Sequence, residues 1–333
     1  MWSLAVNWGI AAAVLVSGQG VTEREQSLFD QLRPSVILLS SGVKVTGTAA
    51  CIDPRGYFVT HRSALEGLMP TARTFDGAIV PIRIQASDEL TELVLLTATL
   101  PIGRIARAVP VLDDTPDEGT KLLAIFAGGP GRAEVSSDNK TGILSRQRRV
   151  VTLTELRFEL PQQAVGGGLV FTLQGQLAGI IGATLQAQVQ DAAKSLGATG
   201  AFRGSSSPPT VISQYGPSAL AVGYSVSSRT LARVIEGFLS PDHIVRHPGI
   251  GVFCRDAEEP GALVQSVVKG SPAEKAGLQA NDLIVEFAGK PILNQIEFFK
   301  ALSERKVGET VRLTVKREEQ PVTLSLTIGE LTD

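Results

Sequence analysis

Three histidines, His61, His243 and His247, and two cysteines, Cys51 and Cys254, are the whole stock of imidazole and thiol in this chain. A metal centre needs several such groups at close spacing. His243 and His247 instead follow Ser240-Pro241-Asp242, a stretch that reads as a linker, so both are expected to be solvated connectors and no metal triad is apparent. The cysteines stand about 200 residues apart, which fits neither metal-ligand spacing nor a disulfide framework, and both are read as buried thiols. No cofactor is expected. The densest basic run, Arg146-Gln147-Arg148-Arg149, reads as a solvated loop, and 31 Lys and Arg against 33 Asp and Glu leave a net charge of -2, which excludes a general attraction to nucleic acid.

The elements that must position these groups follow from length and pattern. A chain of 333 residues suggests about two domains, and 43% hydrophobic with 19% charged residues places it among globular proteins. Between about Val36 and Val226, short β-rich runs such as Val36-Ile37-Leu38-Leu39, Gly56-Tyr57-Phe58-Val59, Leu93-Val94-Leu95-Leu96 and Leu122-Leu123-Ala124-Ile125 alternate with turn signals, which predicts a sandwich or barrel rather than βαβ units. Asp53-Pro54-Arg55-Gly56 is a hairpin turn by its chemistry. Residues 186–218 break the rhythm and read as a long surface loop around Gly204-Ser205-Ser206-Ser207-Pro208-Pro209. Ser227 or Ser228 then caps a helix carrying Leu231, Val234, Ile235, Phe238 and Leu239 on one face. From Gly249 onward strands mix with two short helices, the first opened by the capping box Ser271-Pro272-Ala273-Glu274 and closed by Gly277, the second running from about Asn294 to Glu304 with Ile292, Ile296 and Phe299 on one side. At the other end, Leu4 to Val16 is largely apolar, interrupted by Asn7, and Ser17-Gly18-Gln19-Gly20 suits a cleavage site, so residues 1–20 read as a signal peptide or an N-terminal anchor, with a buried helix as the third reading.

Two ordered sets of segments carry a resemblance. Gly249-Ile250-Gly251-Val252, then Val267 through Leu278, then Asn281-Asp282-Leu283-Ile284 resemble a PDZ domain of the bacterial HtrA type. Gly47 through Thr60, Thr91-Glu92-Leu93-Val94-Leu95-Leu96, Thr141-Gly142-Ile143-Leu144-Ser145 and the glycine-rich stretch from Gly166 to Gly182 resemble the HtrA (DegP-like) serine-protease domain. The resemblance implies a mostly β chain, with a trypsin-like double β-barrel over 21–240 and a small α+β PDZ domain over 247–330. It implies peptide binding by strand addition in a groove, at Ile250, Gly251 and Val252 of the loop and at Ile296 and Phe299 of the helix wall. It also places the triad. The base position holds Ser63, the acid position Glu92 and the nucleophile position Val165, while Gln163 stands where the family has an oxyanion-hole glycine. His61 lies two residues before the base position, a shift of about 6–7 Å along a strand end, and is expected to be a loop histidine.

Those replacements predict a protein that is not an enzyme, a pseudoprotease serving as a peptide- or protein-binding scaffold in the bacterial cell envelope, with the periplasm as its expected compartment. Two alternatives stand beside it: a serine-type endopeptidase with a rearranged site, and a structural or regulatory subunit of a larger envelope complex. Expected partners are protein C-termini or extended peptides, and a membrane through residues 1–20. A homotrimer through Leu28, Phe29 and Leu32 is the family's implication, while the same residues also fit a helical turn covering its own barrel.

Overall fold

The structure is a computed structural model that describes residues 21–41, 44–65, 70–100, 107–144, 149–159, 167–182, 185 and 220–331. Within these, helix α1 (Glu23–Leu32) leads into a first curled sheet of β1 (Val36–Ser41), β2 (Lys44–Asp53), β3 (Tyr57–His61), β4 (Pro70–Thr74), β5 (Ile79–Val80), β6 (Ile82–Ser87) and β7 (Leu93–Ala98), in the order β5-β4-β1-β2-β3-β7-β6. A second sheet holds β8 (Lys121–Phe126), β9 (Gly129–Leu144), β10 (Arg149–Glu159), β11 (Leu169–Thr172), β12 (Leu177–Ile180) and β13 (Leu220–Val226), ordered β12-β11-β8-β9-β10-β13. All the strand pairings within these two sheets are antiparallel; many join consecutive strands, while β1–β4, β3–β7, β8–β11 and β10–β13 join strands farther apart in the chain. The β2–β3 hairpin turns at Gly56, whose φ of 92° and amide bond to Asp53 O at 3.0 Å require a residue without a Cβ.

The two curled sheets face each other across one core. Val59 and Leu95 of the first meet Leu123, Leu153 and Phe171 of the second. Helix α1 adds Phe29 and Leu32 to that core, with Phe29 edge-on to Phe75 at 5.4 Å, so its apolar face covers the chain's own barrel. Helix α2 (Ser228–Leu239) closes the other side. Ser227 caps it by accepting the Thr230 amide, and Leu231, Val234, Ile235 and Phe238 are buried at the expected i, i+3, i+4, i+7 spacing.

The last unit has its own core and a sheet ordered β15 (Val252–Asp256), β16 (Ala262–Val267), β17 (Leu283–Phe287), β19 (Thr310–Arg317), β20 (Gln320–Thr327), with β18 (Lys290–Pro291) on β17 and a small pair of β14 (Pro248–Gly249) with β21 (Gly329–Glu330). Helix α3 (Pro272–Lys275) is capped by Ser271, which accepts the Glu274 amide, and Gly277 follows at φ 82°. The reciprocal half of the predicted box differs: the Glu274 carboxylate takes the Gly270 amide instead of the cap residue's own. Helix α4 (Gln295–Ser303) starts at Asn294 as predicted. Its core face is Phe298 and Leu302, which leaves Ile296 and Phe299 half-buried on the flank.

Polar contacts bind this unit to the barrels. Arg233 of α2 donates to the carbonyls of Ser303 and Arg305 at the end of α4, Ser227 donates to Glu304, and Lys300 donates to Asn139 O. His247 Nε2 lies 2.8 Å from Asp88 Oδ1, with only 10% and 7% of the two side chains exposed. The expectation of solvated connector histidines is thereby corrected. The segment after α2 folds back on the first sheet, which buries His247 and sets His243 against Phe238 O and the Tyr57 ring. Asp88 also accepts from the Thr91 amide and hydroxyl. Burial pushes its carboxyl up, but the His247 and Thr91 hydrogen bonds with the His247 charge outweigh this and hold it below its usual value. A carboxyl lowered by folding stabilises the protein above its unfolded pKa near ~4, and that stability is lost as the pH falls through the folded value. Asp88→Asn is expected to cost about 2 kcal/mol at pH 7 and to flatten the acid limb of stability. Denaturation at pH 7 and pH 3 measures both, and an unchanged acid limb would count against the pair.

Candidate functional site

Two places carry chemistry. The first is the end of β3. Strand alternation puts His61 on the same face as buried Val59, and pairing of His61 with Leu93 of β7 continues the strand through it. His61 is therefore fully buried at a strand end. The loop-histidine expectation is wrong because β3 runs through His61 and is buried on both faces from Phe58 onward. The 3-10 turn Arg62–Leu65 then doubles back, bringing Ser63 Oγ to 2.9 Å from His61 Nδ1, with the Ser63 amide donating to the same nitrogen at 3.2 Å.

On the other side of the ring, Glu92 Oε2 lies 3.8 Å from His61 Nε2. Glu92 is held at φ 57°, a left-handed conformation that costs a residue with a Cβ on the order of 1 kcal/mol, and its carbonyl accepts the Arg62 amide at 2.8 Å. Gly182 gives the ring its space, since a Cβ there would come within 2.5 Å of Nε2. Burial pushes the His61 imidazolium down to about 4, Glu92 opposing and Arg62 reinforcing, so the ring is neutral near pH 7.

The glycine run reaches the same turn. Gly167, at φ 78°, packs so closely that a Cβ would lie 2.6 Å from that of Ala64, and its carbonyl accepts both the amide and the hydroxyl of Thr48 on β2. Val165, Gln163 and Gly166 lie outside the described residues, as do 1–20, Arg146 to Arg148 and 186–218. Cys51 and Cys254 are buried as predicted, and burial raises their thiols to about 11 and about 12. Among the described residues no cluster of His, Cys, Asp or Glu could hold a metal, and no helix is long and apolar enough to cross a membrane.

The second place is a groove of about 680 Å³ beside β15. β15 stands at the end of its sheet, so its outer edge is unpaired among the described residues. The loop Gly249 to Val252, Phe253, Val268 and Phe299 line the groove, and Thr91, Val151 and Arg233 of the barrel unit close its far side. Gly251 needs to be glycine: its φ is 74° and a Cβ would meet that of Ser271 at 2.4 Å. Of the five residues expected in this groove, Gly251, Val252 and Phe299 line it. Ile250 lines it too, but with 1% of its surface exposed it belongs to the core, and Ile296, one turn before Phe299, is not among the lining residues.

Residues 248–328 match the family model described as PDZ domain. Over 99% of this chain and 86% of its own length, the serine endoprotease DegS of Escherichia coli K12 is 22% identical. The chain thus carries a C-terminal PDZ domain, is similar over nearly its whole length to the HtrA/DegS-like serine proteases, and has their trypsin-like fold. The serine protease Do-like HtrA of Bacillus subtilis is 23% identical over 83% of this chain, which spans 61% of that protein's length. A probable periplasmic DegP-like serine endoprotease of Chlamydia trachomatis is 32% identical over 34% of this chain and 24% of its own length. In fold, the HtrA-type protease AlgW, solved with a decapeptide, superposes with a TM-score of 0.60 at 16% identity, covering 94% of this chain and 100% of that one. The serine endoprotease of Yersinia pestis gives 0.54 at 18% identity, with the same coverages. These comparisons correct the expectation of a protein that is not an enzyme, because the family's aligned relatives are serine proteases by name. That expectation rested on the family's own triad positions alone, and it set aside His61, which the fold brings against Ser63.

Proposed function

We propose that this HtrA-type chain binds extended peptides or protein C-termini in the groove of its PDZ unit and acts as a peptide-responsive scaffold in the bacterial cell envelope. The observation that carries the reading is the juxtaposition of an unpaired strand edge, β15, with the flank of α4 and the glycine-bearing loop at Gly251. A peptide laid along β15 gains main-chain hydrogen bonds, and its side chains fall alternately toward Phe299 and toward solvent. The decapeptide solved with AlgW supports the ligand class. The periplasmic name of the DegP-like relative supports the compartment.

A library of free-acid peptides, screened against the full chain by fluorescence polarisation, tests the reading. Val268 is 42% exposed at the groove mouth, so Val268→Glu should keep the fold while setting a carboxylate where the peptide's own must enter. Binding should weaken about tenfold, equivalent to ~1.4 kcal/mol. If no library peptide binds, or the variant binds as well as the parent, the groove assignment is wrong. A second reading, a serine-type endopeptidase with a rearranged site, is favoured by one observation, the contact of Ser63 with His61.

A further inference from the structure

We propose that Ser63, His61 and Glu92 form a relocated acyl-transfer centre in which Ser63 is the nucleophile, and that its substrates are carboxylic esters. This goes beyond peptide binding in the PDZ groove and does not depend on it. The family's nucleophile position is Val165, a hydrocarbon, and the family's base position is Ser63 itself. Any nucleophile here must therefore come from another arrangement, and the fold supplies one.

The hydrogen bonds fix the proton on the ring. Nδ1 receives the Ser63 amide, so in the neutral ring it carries a lone pair and not a proton. The Ser63 hydroxyl, 2.9 Å away, then donates to that lone pair, which is the relation between a serine and its general base. The remaining proton sits on Nε2, which makes no hydrogen bond among the described residues and faces the Glu92 carboxylate at 3.8 Å. A fully buried polar nitrogen with no hydrogen bond is uncommon, and a carboxylate approaching it is the group that would stabilise the imidazolium formed in the reaction. Ser63 is half-buried at the turn, whereas His61 is sealed behind it, walled by Gly182 on one side.

In the reaction the Ser63 proton passes to His61 Nδ1 as Oγ bonds to the ester carbonyl carbon. Collapse of the tetrahedral adduct breaks the bond from carbon to the alkoxy oxygen, and the departing alkoxide takes the proton from His61. Water then attacks the acyl carbon, giving its proton to Nδ1. Oγ leaves with that proton, releasing a carboxylic acid and restoring the serine. Esters suit the site better than amides. Burial disfavours the imidazolium, and an alkoxide or phenolate departs with less help from a proton donor than an amine needs.

The test uses the folded full chain with a fluorophosphonate probe and p-nitrophenyl butyrate. Mass spectrometry should place the probe adduct on Ser63, and Ser63→Ala should abolish both labelling and ester turnover while leaving the thermal midpoint and peptide binding in place. His61→Gln should slow labelling about 100-fold. Glu92→Gln keeps the shape but removes the charge that raises the His61 pKa. The acid limb of the labelling rate, which reports neutral His61 facing Glu92 and Arg62, should therefore move to lower pH. An adduct on another residue, no adduct at all, or labelling that survives Ser63→Ala overturns the proposal. An acid limb that stays in place in Glu92→Gln overturns the role of Glu92.

Discussion

Phe238→Ala is expected to destabilise the chain by about 4 kcal/mol, the cost of a large aromatic truncated in a core that cannot collapse around the gap. Phe238 is fully buried on the last turn of α2 and belongs to the core shared by both barrels, where it joins Leu231, Val234 and Ile235. The helix cannot slide inward to fill the space. Its first turn is fixed by Ser227 and by the Ser228 hydroxyl on Ala178 O, and the chain packs so closely over Gly237 that a Cβ there would lie 2.8 Å from Val245 Cα and 2.9 Å from Ile244 O. Urea denaturation of the variant measures the loss, and a change below about 1 kcal/mol would show that this face of α2 is not packed as described.

Arg317→Ala should cost the PDZ unit about 3 kcal/mol. Asp282 is 1% exposed, and Arg317 grips both its oxygens, Nε to Oδ1 at 2.7 Å and Nη2 to Oδ2 at 2.8 Å, while the Gln279 amide donates to Oδ2. Removing the guanidinium leaves a buried carboxylate with one amide donor, and breaking a buried pair from one side costs roughly 3–5 kcal/mol. Arg317 is itself 28% exposed, so water repays part of this and the lower end applies. The double variant Arg317→Ala with Asp282→Ala should be less destabilised than the sum of the two single variants. Strict additivity would remove the ion pair from the account.

The parts of this fold that the sequence announces are those whose cause is local. Leu93 to Leu96 and Leu122 to Ile125 are apolar runs long enough for a buried strand and too short for a helix, and both are strands. Ser227 and the spacing from Leu231 to Phe238 specify α2 almost to the residue. The site is less legible because it depends on distance in space. His247 meets Asp88 across 159 residues of sequence, which no pattern of spacing reveals. His61 is an intermediate case. Its separation from Ser63 is two residues, and an extended strand would keep them apart, but the chain leaves β3 in a 3-10 turn immediately after His61 and folds the hydroxyl back onto the ring. Along α4, the pattern Ile296 and Phe299 reads as a core face, yet Phe298 and Leu302 are the core, because a nine-residue helix carries apolar residues on two adjoining faces and only packing chooses between them.

Arg233 ties the melting of one unit to that of the other. Its helix is part of the barrel core, yet its guanidinium, mostly buried, holds the carbonyls of Ser303, the last residue of α4, and of Arg305 just beyond it in the neighbouring unit. Loosening either unit strips partners from the other, so heating should produce one calorimetric transition with an enthalpy fitting both units together. Arg233→Ala should split it in two, the PDZ unit melting at its own lower temperature while the barrels keep theirs.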